Sequence, residues 1–202
     1  MNDLKRTLVL SAVILALIVP AVNADTITVN FVSVTPLGGG LFQWSYQISE
    51  DAQGEVRTGT VPGPSTSLVG PNTVADYFTL YDFGGFTGAA APAGWTSESL
   101  PTGATDSSEL PTDSAAVPNV TFYYTGAAAI LGPFTEAGFS VTSTVGPTGA
   151  VTGFWTSEDT NNPSLVNNAA IGTTTIAIPE PNALLLLGSG LVGLVGFRLR
   201  RR

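Results

Sequence analysis

The chain has no cysteine and no histidine among its 202 residues. Without cysteine there are no disulfides, no thiolate nucleophile and no Cys-ligated zinc. Without histidine, Ser-His-Asp and Cys-His catalytic sets cannot form. Basic residues are also scarce where a domain would need them. Between Asp25 and Ile178 the only one is Arg57, set against thirteen acids, a formal charge of −12. A nucleic-acid partner is excluded, because neutralising a phosphate backbone takes clustered Lys and Arg. A phosphate-cradling loop of the Gly-rich, Lys-terminated kind is excluded as well, since this stretch has no lysine. No Asp-x-Asp-x-Asp-Gly loop is present to bind calcium. Glycoside hydrolysis needs only two carboxylates at a set separation. The adjacent acids Glu50-Asp51 and Glu158-Asp159 lie near strand ends, however, and read as solvated turn charges. The expectation is a protein with no catalytic residues, no metal and no cofactor, and not an enzyme.

The remaining basic residues sit at the two ends. Lys5 and Arg6 precede Leu8 to Val19, an almost wholly apolar run of twelve residues, shorter than a membrane span. Pro20 follows, and Val22-Asn23-Ala24 supplies small residues of the kind a signal peptidase reads. This order is that of a secretory signal, residues 1–24, cut between Ala24 and Asp25.

At the other end, "IPEPNALLLLGSGLVGLVGFRLRRR" closes the chain. Pro179 and Pro181 lack an N–H and push their predecessors toward extended geometry, giving a stiff peptide suited to a protease groove. Glu180 adds one charge between them. Ala183 to Phe197 is apolar except for Ser189 and would cover about 22 Å as a helix, enough for a short span if flanking arginines snorkel. Arg198, Arg200, Arg201 and Arg202 form the stop-transfer cluster and would stay cytoplasmic, leaving the body outside. In this order, Pro-Glu-Pro, apolar span and terminal arginines together resemble the PEP-CTERM protein-sorting signal. The same tail is also called an ice-binding protein C-terminal domain. The resemblance covers residues 179–202. It implies that an exosortase, a membrane-embedded cysteine protease, recognises Pro179, Glu180 and Pro181 and removes the tail. The body would then be released or passed to the cell surface. Bacteria with this system typically make extracellular polysaccharide, so the implied partners are the exosortase, the inner membrane and such a polysaccharide.

Residues 25–178 form the expected domain. "LFQWSYQIS" places Phe42, Trp44, Tyr46 and Ile48 on one face and Gln43, Ser45 and Gln47 on the other, the alternation of a half-buried strand. The stretches 120–125, 139–145 and 150–156 repeat the pattern, and strands are also expected at 26–34, 55–61, 76–82 and 171–178. Gly146-Pro147-Thr148-Gly149 reads as a hairpin loop, and "PLGGG" at 36–40 as a turn. "YDFGGF" at 81–86 reads as a structural turn with aromatic packing, in which Asp82 caps the chain reversal. From Thr96 to Pro118 the chain is Ser, Thr, Pro and acid, the composition of a loosely draped or disordered loop. The fold class is therefore all-β: an antiparallel sandwich of about eight strands. An N-terminal signal helix and a C-terminal transmembrane helix flank it.

Two binding alternatives accompany the expectation of a surface or matrix protein. The first is a carbohydrate-binding module. Trp44 and Trp155 lie on strand faces and belong in a core, so Trp95, beside Gly94 and ahead of a polar stretch, is the exposed candidate for stacking on a sugar. The second is ice binding, suggested by Thr26-x-Thr28 and Thr173-Thr174-Thr175, although no repeat builds a flat array. A glycosidase ranks below both.

Overall fold

A computed structural model describes residues 26–66 and 73–178. The expected signal helix and transmembrane helix lie outside them. Among the described residues, no helix is long and apolar enough to cross a membrane. Eleven strands run in the order β1 Thr28–Gly38, β2 Leu41–Glu50, β3 Gly54–Val56, β4 Tyr77–Leu80, β5 Phe86–Ala90, β6 Trp95–Leu100, β7 Asn119–Tyr124, β8 Ile130–Leu131, β9 Phe134–Ser143, β10 Ala150–Asn161 and β11 Asn167–Ala177. All the strand pairings are antiparallel. One sheet has four strands, β1-β2-β9-β5. The other has seven: β6-β7-β4-β10-β3-β8, with β11 along the opposite edge of β10.

The two sheets share one core, as a sandwich requires. Trp44, Tyr46 and Ile48 of β2 are fully buried, as the period-two reading expects. Phe139 of β9 meets Phe78 of β4 and Phe122 of β7 across the gap, with ring centroids 5.0 and 5.5 Å apart and the rings edge to face. Buried polar atoms find partners too, and the first of these bonds crosses between the sheets. Tyr46 donates its hydroxyl to the Thr175 carbonyl at 2.8 Å, and Trp44 donates its indole N–H to Val145 O at 3.0 Å. Each bond satisfies a group that would otherwise be costly to bury.

The "PLGGG" turn closes the β1–β2 hairpin, with Gly38, Gly39 and Gly40 all at positive φ, where a side chain would be strained. The "YDFGGF" segment is a turn, with Phe83 fully buried against Trp44 and Gly85 at φ 64°. Asp82 itself adopts φ 54°, and its carboxylate accepts from the Ser114 N–H at 2.9 Å, a tie to a distant loop in place of a local cap.

Other expectations are corrected. Three strands were not expected: β5, β6 and β8. β6 reads "WTSESL", where only Trp95 signals burial, and β5 reads "FTGAA", where small residues give no alternation. The strand expected at 55–61 shrinks to Gly54–Val56. Residues 146–149 are not a hairpin loop. They form a short 3₁₀ turn, Pro147–Gly149, that carries the chain from β9 in the small sheet to β10 in the large one. Alternation marked both flanking strands correctly, but their buried faces line opposite walls of the core. Finally, 96–118 is not loop throughout, since residues 96–100 belong to β6, and the draped part is anchored. After β6 the chain folds back over the large sheet, burying Ala104 completely and leaving Asp106 1% exposed.

Candidate functional site

The outer face of the large sheet is built by alternation. Phe78 and Leu80 of β4 and Trp155 of β10 point into the core. Tyr77 and Thr79, followed by Tyr81, and Thr156, Glu158 and Thr160 share the other side. Sequence reasoning placed such a face in solvent, but the segments around Thr66 and Ala104 cover it. Backbone groups of the covering loop are satisfied by a closed ring of hydrogen bonds. The Ala104 N–H donates to Thr121 Oγ1 at 3.1 Å, the Thr121 and Thr79 hydroxyls lie 2.8 Å apart, and Thr79 donates to Ala104 O at 2.7 Å. Tyr81 donates its hydroxyl to the same carbonyl at 2.9 Å.

Glu158 sits in this layer with no exposure. Its Oε2 accepts from Thr66 Oγ1 at 3.1 Å and its Oε1 from Asn167 Nδ2 at 2.8 Å. Burial pushes its carboxyl up to about 7 and the charge of Asp106 adds to the rise, while the bonds from Thr66 and Asn167 oppose it. Asp106 is itself buried, and its Oδ2 has no hydrogen-bond partner among the described residues, so a second charge nearby is unfavourable. Burial likewise raises the phenols of Tyr77 and Tyr46. Asp76, on the same side, accepts from the Arg57 N–H at 2.6 Å and from Thr160 Oγ1 at 3.0 Å.

These positions correct the reading of Glu50, Glu158 and Asp159 as solvated turn charges, whereas Asp51 does lie in the turn after β2 and accepts from the Gln53 N–H at 2.8 Å. Glu158 and Asp159 are both fully buried, and Glu50 is 5% exposed, continuing the inward face of β2. The sequence carried a signal for Glu158 that was not used: "FWTSEDT" alternates, placing Thr156, Glu158 and Thr160 on one polar face opposite "YFTLY" of β4.

A cavity of about 330 Å³ opens over this layer, lined among others by Tyr81, Thr105, Asp106, Glu109 and Asp113. Its acids are largely engaged in holding the loop. Asp106 Oδ1 accepts from the Ser108 N–H at 2.7 Å, and Asp113 Oδ1 accepts from Asn119 Nδ2 at 2.9 Å. Among the described residues, no group of three or more acids is placed to hold a metal ion. What the arrangement does chemically is pin residues 101–114 to the sheet.

Trp95 is the one expected site residue within the described part, and its expected exposure is corrected. It is 6% exposed, packed edge to face on Phe139 at 5.1 Å and Tyr124 at 5.4 Å. Its indole N–H donates to Glu136 Oε2 at 2.8 Å. The turn at Gly94, φ 86°, swings the ring inward, so the face a sugar would stack on is occupied by protein. Trp44 and Trp155 are buried as expected.

The other expected site residues lie outside the described residues: Ala24, Asp25, Pro179, Glu180, Pro181, Arg198, Arg200, Arg201 and Arg202. The residues that lead into the tail are described. β11 pairs with β10 along its whole length, ending at Ala177 opposite Ala150. Ala177 is fully buried and accepts from the Gly84 N–H at 2.7 Å, and the Ile178 N–H donates to Gly149 O at 3.0 Å. The Pro-Glu-Pro therefore starts with no linker after the folded domain.

The family model of the PEP-CTERM protein-sorting motif matches residues 177–202. The chain thus carries the sorting motif at the position its residues suggested, and the motif's first residue, Ala177, is the last of β11. No curated protein and no solved structure matches the chain.

Proposed function

We propose that this chain is an exported, non-enzymatic surface or matrix protein whose tail anchors it in the cytoplasmic membrane until an exosortase processes it at Pro179-Glu180-Pro181. The observation that carries this reading is the matched sorting motif, which continues directly from the last strand of an antiparallel β domain. The body then serves as the delivered cargo. Its polar layer and loops hold a stable shape, and residues 25–178 carry a formal charge of −12. An acidic extracellular domain of this kind repels other polyanions and stays soluble at the cell surface.

The test is the C-terminal mass of the mature protein purified from a host with and without the sorting protease. A C-terminus close to Pro179–Pro181 is expected only with the protease present. Replacing Pro179 and Pro181 together by alanine should restore the intact, membrane-bound chain, since both stiffen the extended peptide. An intact Arg202 in the protease-bearing host would overturn the proposal.

A further inference from the structure

Glu50, Asp51, Glu55, Asp76, Glu158 and Asp159 lie at the end where β2 and β10 finish and β11 begins, all but Asp51 buried, and Arg57 pairs with Glu55 there. The opposite end, from which the tail leaves, is made by three neighbouring segments: 36–42, 83–88 and 144–151. The Thr144 N–H donates to Gly85 O at 2.9 Å, the Gly84 N–H to Ala177 O, and Phe42 packs against Gly146. None of the three segments contains an Asp, Glu, Lys or Arg. Pro36, Leu37, Thr144, Pro147 and Thr148 are exposed there, Leu37 by 53%. The nearest acid along the chain is Asp82, tied to the Ser114 N–H.

The chain beyond this end is short. Five peptide steps separate Ile178 from Ala183, where the apolar run begins, a reach of about 17 Å at full extension. Crossing a headgroup layer uses about 5–8 Å of that. The end of the domain is therefore held within about 10 Å of the lipid surface, close to the Debye length of about 8 Å at physiological salt. An acidic end would be repelled by anionic lipid at that distance; a neutral, partly apolar one is not.

We propose that the uncharged end formed by residues 36–42, 83–88 and 144–151 is a membrane-facing surface, seated on the lipid headgroups while the tail is inserted. This rests on the anchoring described above. It fixes the orientation in which the Pro-Glu-Pro is offered to the sorting protease, with the turn between β10 and β11 pointing away from the membrane.

The absence of cysteine makes the test direct, because each added thiol is the only one. Full-length chains carrying Leu37→Cys, Gln53→Cys or Ser189→Cys are labelled with a fluorophore and inserted into vesicles of phosphatidylethanolamine and phosphatidylglycerol. Nitroxide lipids quench from the headgroup for the two body sites and from the acyl chain for the tail site. The label at Leu37→Cys is expected to be quenched at least about twofold more than that at Gln53→Cys, given the short reach of the tether. Equal quenching at the two body sites, with the tail label quenched, overturns this inference alone. An unquenched tail label overturns the anchoring itself, and the inference with it. Shielding of Leu37→Cys that appears only when the sorting protease shares the vesicle assigns this end to the protease and overturns the lipid assignment.

Discussion

Phe139→Ala is expected to lower the unfolding free energy by about 4 kcal/mol, the middle of the range for truncating a buried aromatic ring. Phe139 is fully buried and belongs to β9 of the small sheet, yet its ring is edge-on to Phe78, Phe122 and Trp95 of the large one. It is thus the place where the two walls of the core hold each other. Its removal forfeits the transfer energy of the ring and the edge-to-face contacts, and it leaves a cavity that paired strands on both sides cannot close. Domains of this size are stable by roughly 5–15 kcal/mol, so the change would be a large share of the total. Denaturant titration followed by tryptophan emission reads it directly, since Trp95 touches the ring. Leu110→Ala, at a position 88% exposed, serves as the control and should change stability by less than about 0.5 kcal/mol. A loss near that of the control at Phe139 would mean that the sheets are not joined through this cluster.

Raising the pH from 4 to 8 is expected to destabilise the fold, and Glu158→Gln to remove most of that dependence. Burial pushes the folded-state carboxyl of Glu158 up to about 7, against an ordinary value of 4.5. Between those values the folded protein keeps a proton that the unfolded chain has released, so stability falls as pH rises through the window and is flat above it. A rise of that size corresponds to roughly 3 kcal/mol. Glu136 and Asp82, both raised by burial, act in the same direction. Glutamine keeps the shape of the neutral acid: its oxygen can accept from Asn167 Nδ2, and its amide N–H can donate to the Thr66 hydroxyl, as the protonated carboxyl does. The variant should match the native protein near pH 4 and exceed its stability by up to about 3 kcal/mol at pH 8. Parallel stability curves for the two proteins across that range would show that Glu158 is not the group responsible.

Legibility differed sharply between parts of this chain. The alternation in "LFQWSYQIS" identified the buried face of β2, because Trp44, Tyr46 and Ile48 recur every second residue and nothing else can cover them. The Gly38–Gly40 turn was equally local. For Trp95 the local signal misled: a glycine on one side and a polar stretch on the other suggested a surface, while Phe139, forty-four positions along the chain, supplies the core that takes the ring. Thr156, Glu158 and Thr160 show the general case. Their spacing states that they share a face, but whether that face meets water depends on a loop some fifty residues earlier folding over it.

The sequence by itself determined the all-β class, the period-two faces, the sorting motif and the exclusion of histidine and cysteine chemistry. Each of these depends on residue type and short-range spacing alone. Only the tertiary structure decided that residues 146–149 cross between sheets, that Trp95 and Glu158 are buried, and that the uncharged loops gather where the tail leaves. Each of those depends on which distant segments come together, and periodicity names the residues on a face without naming what covers it.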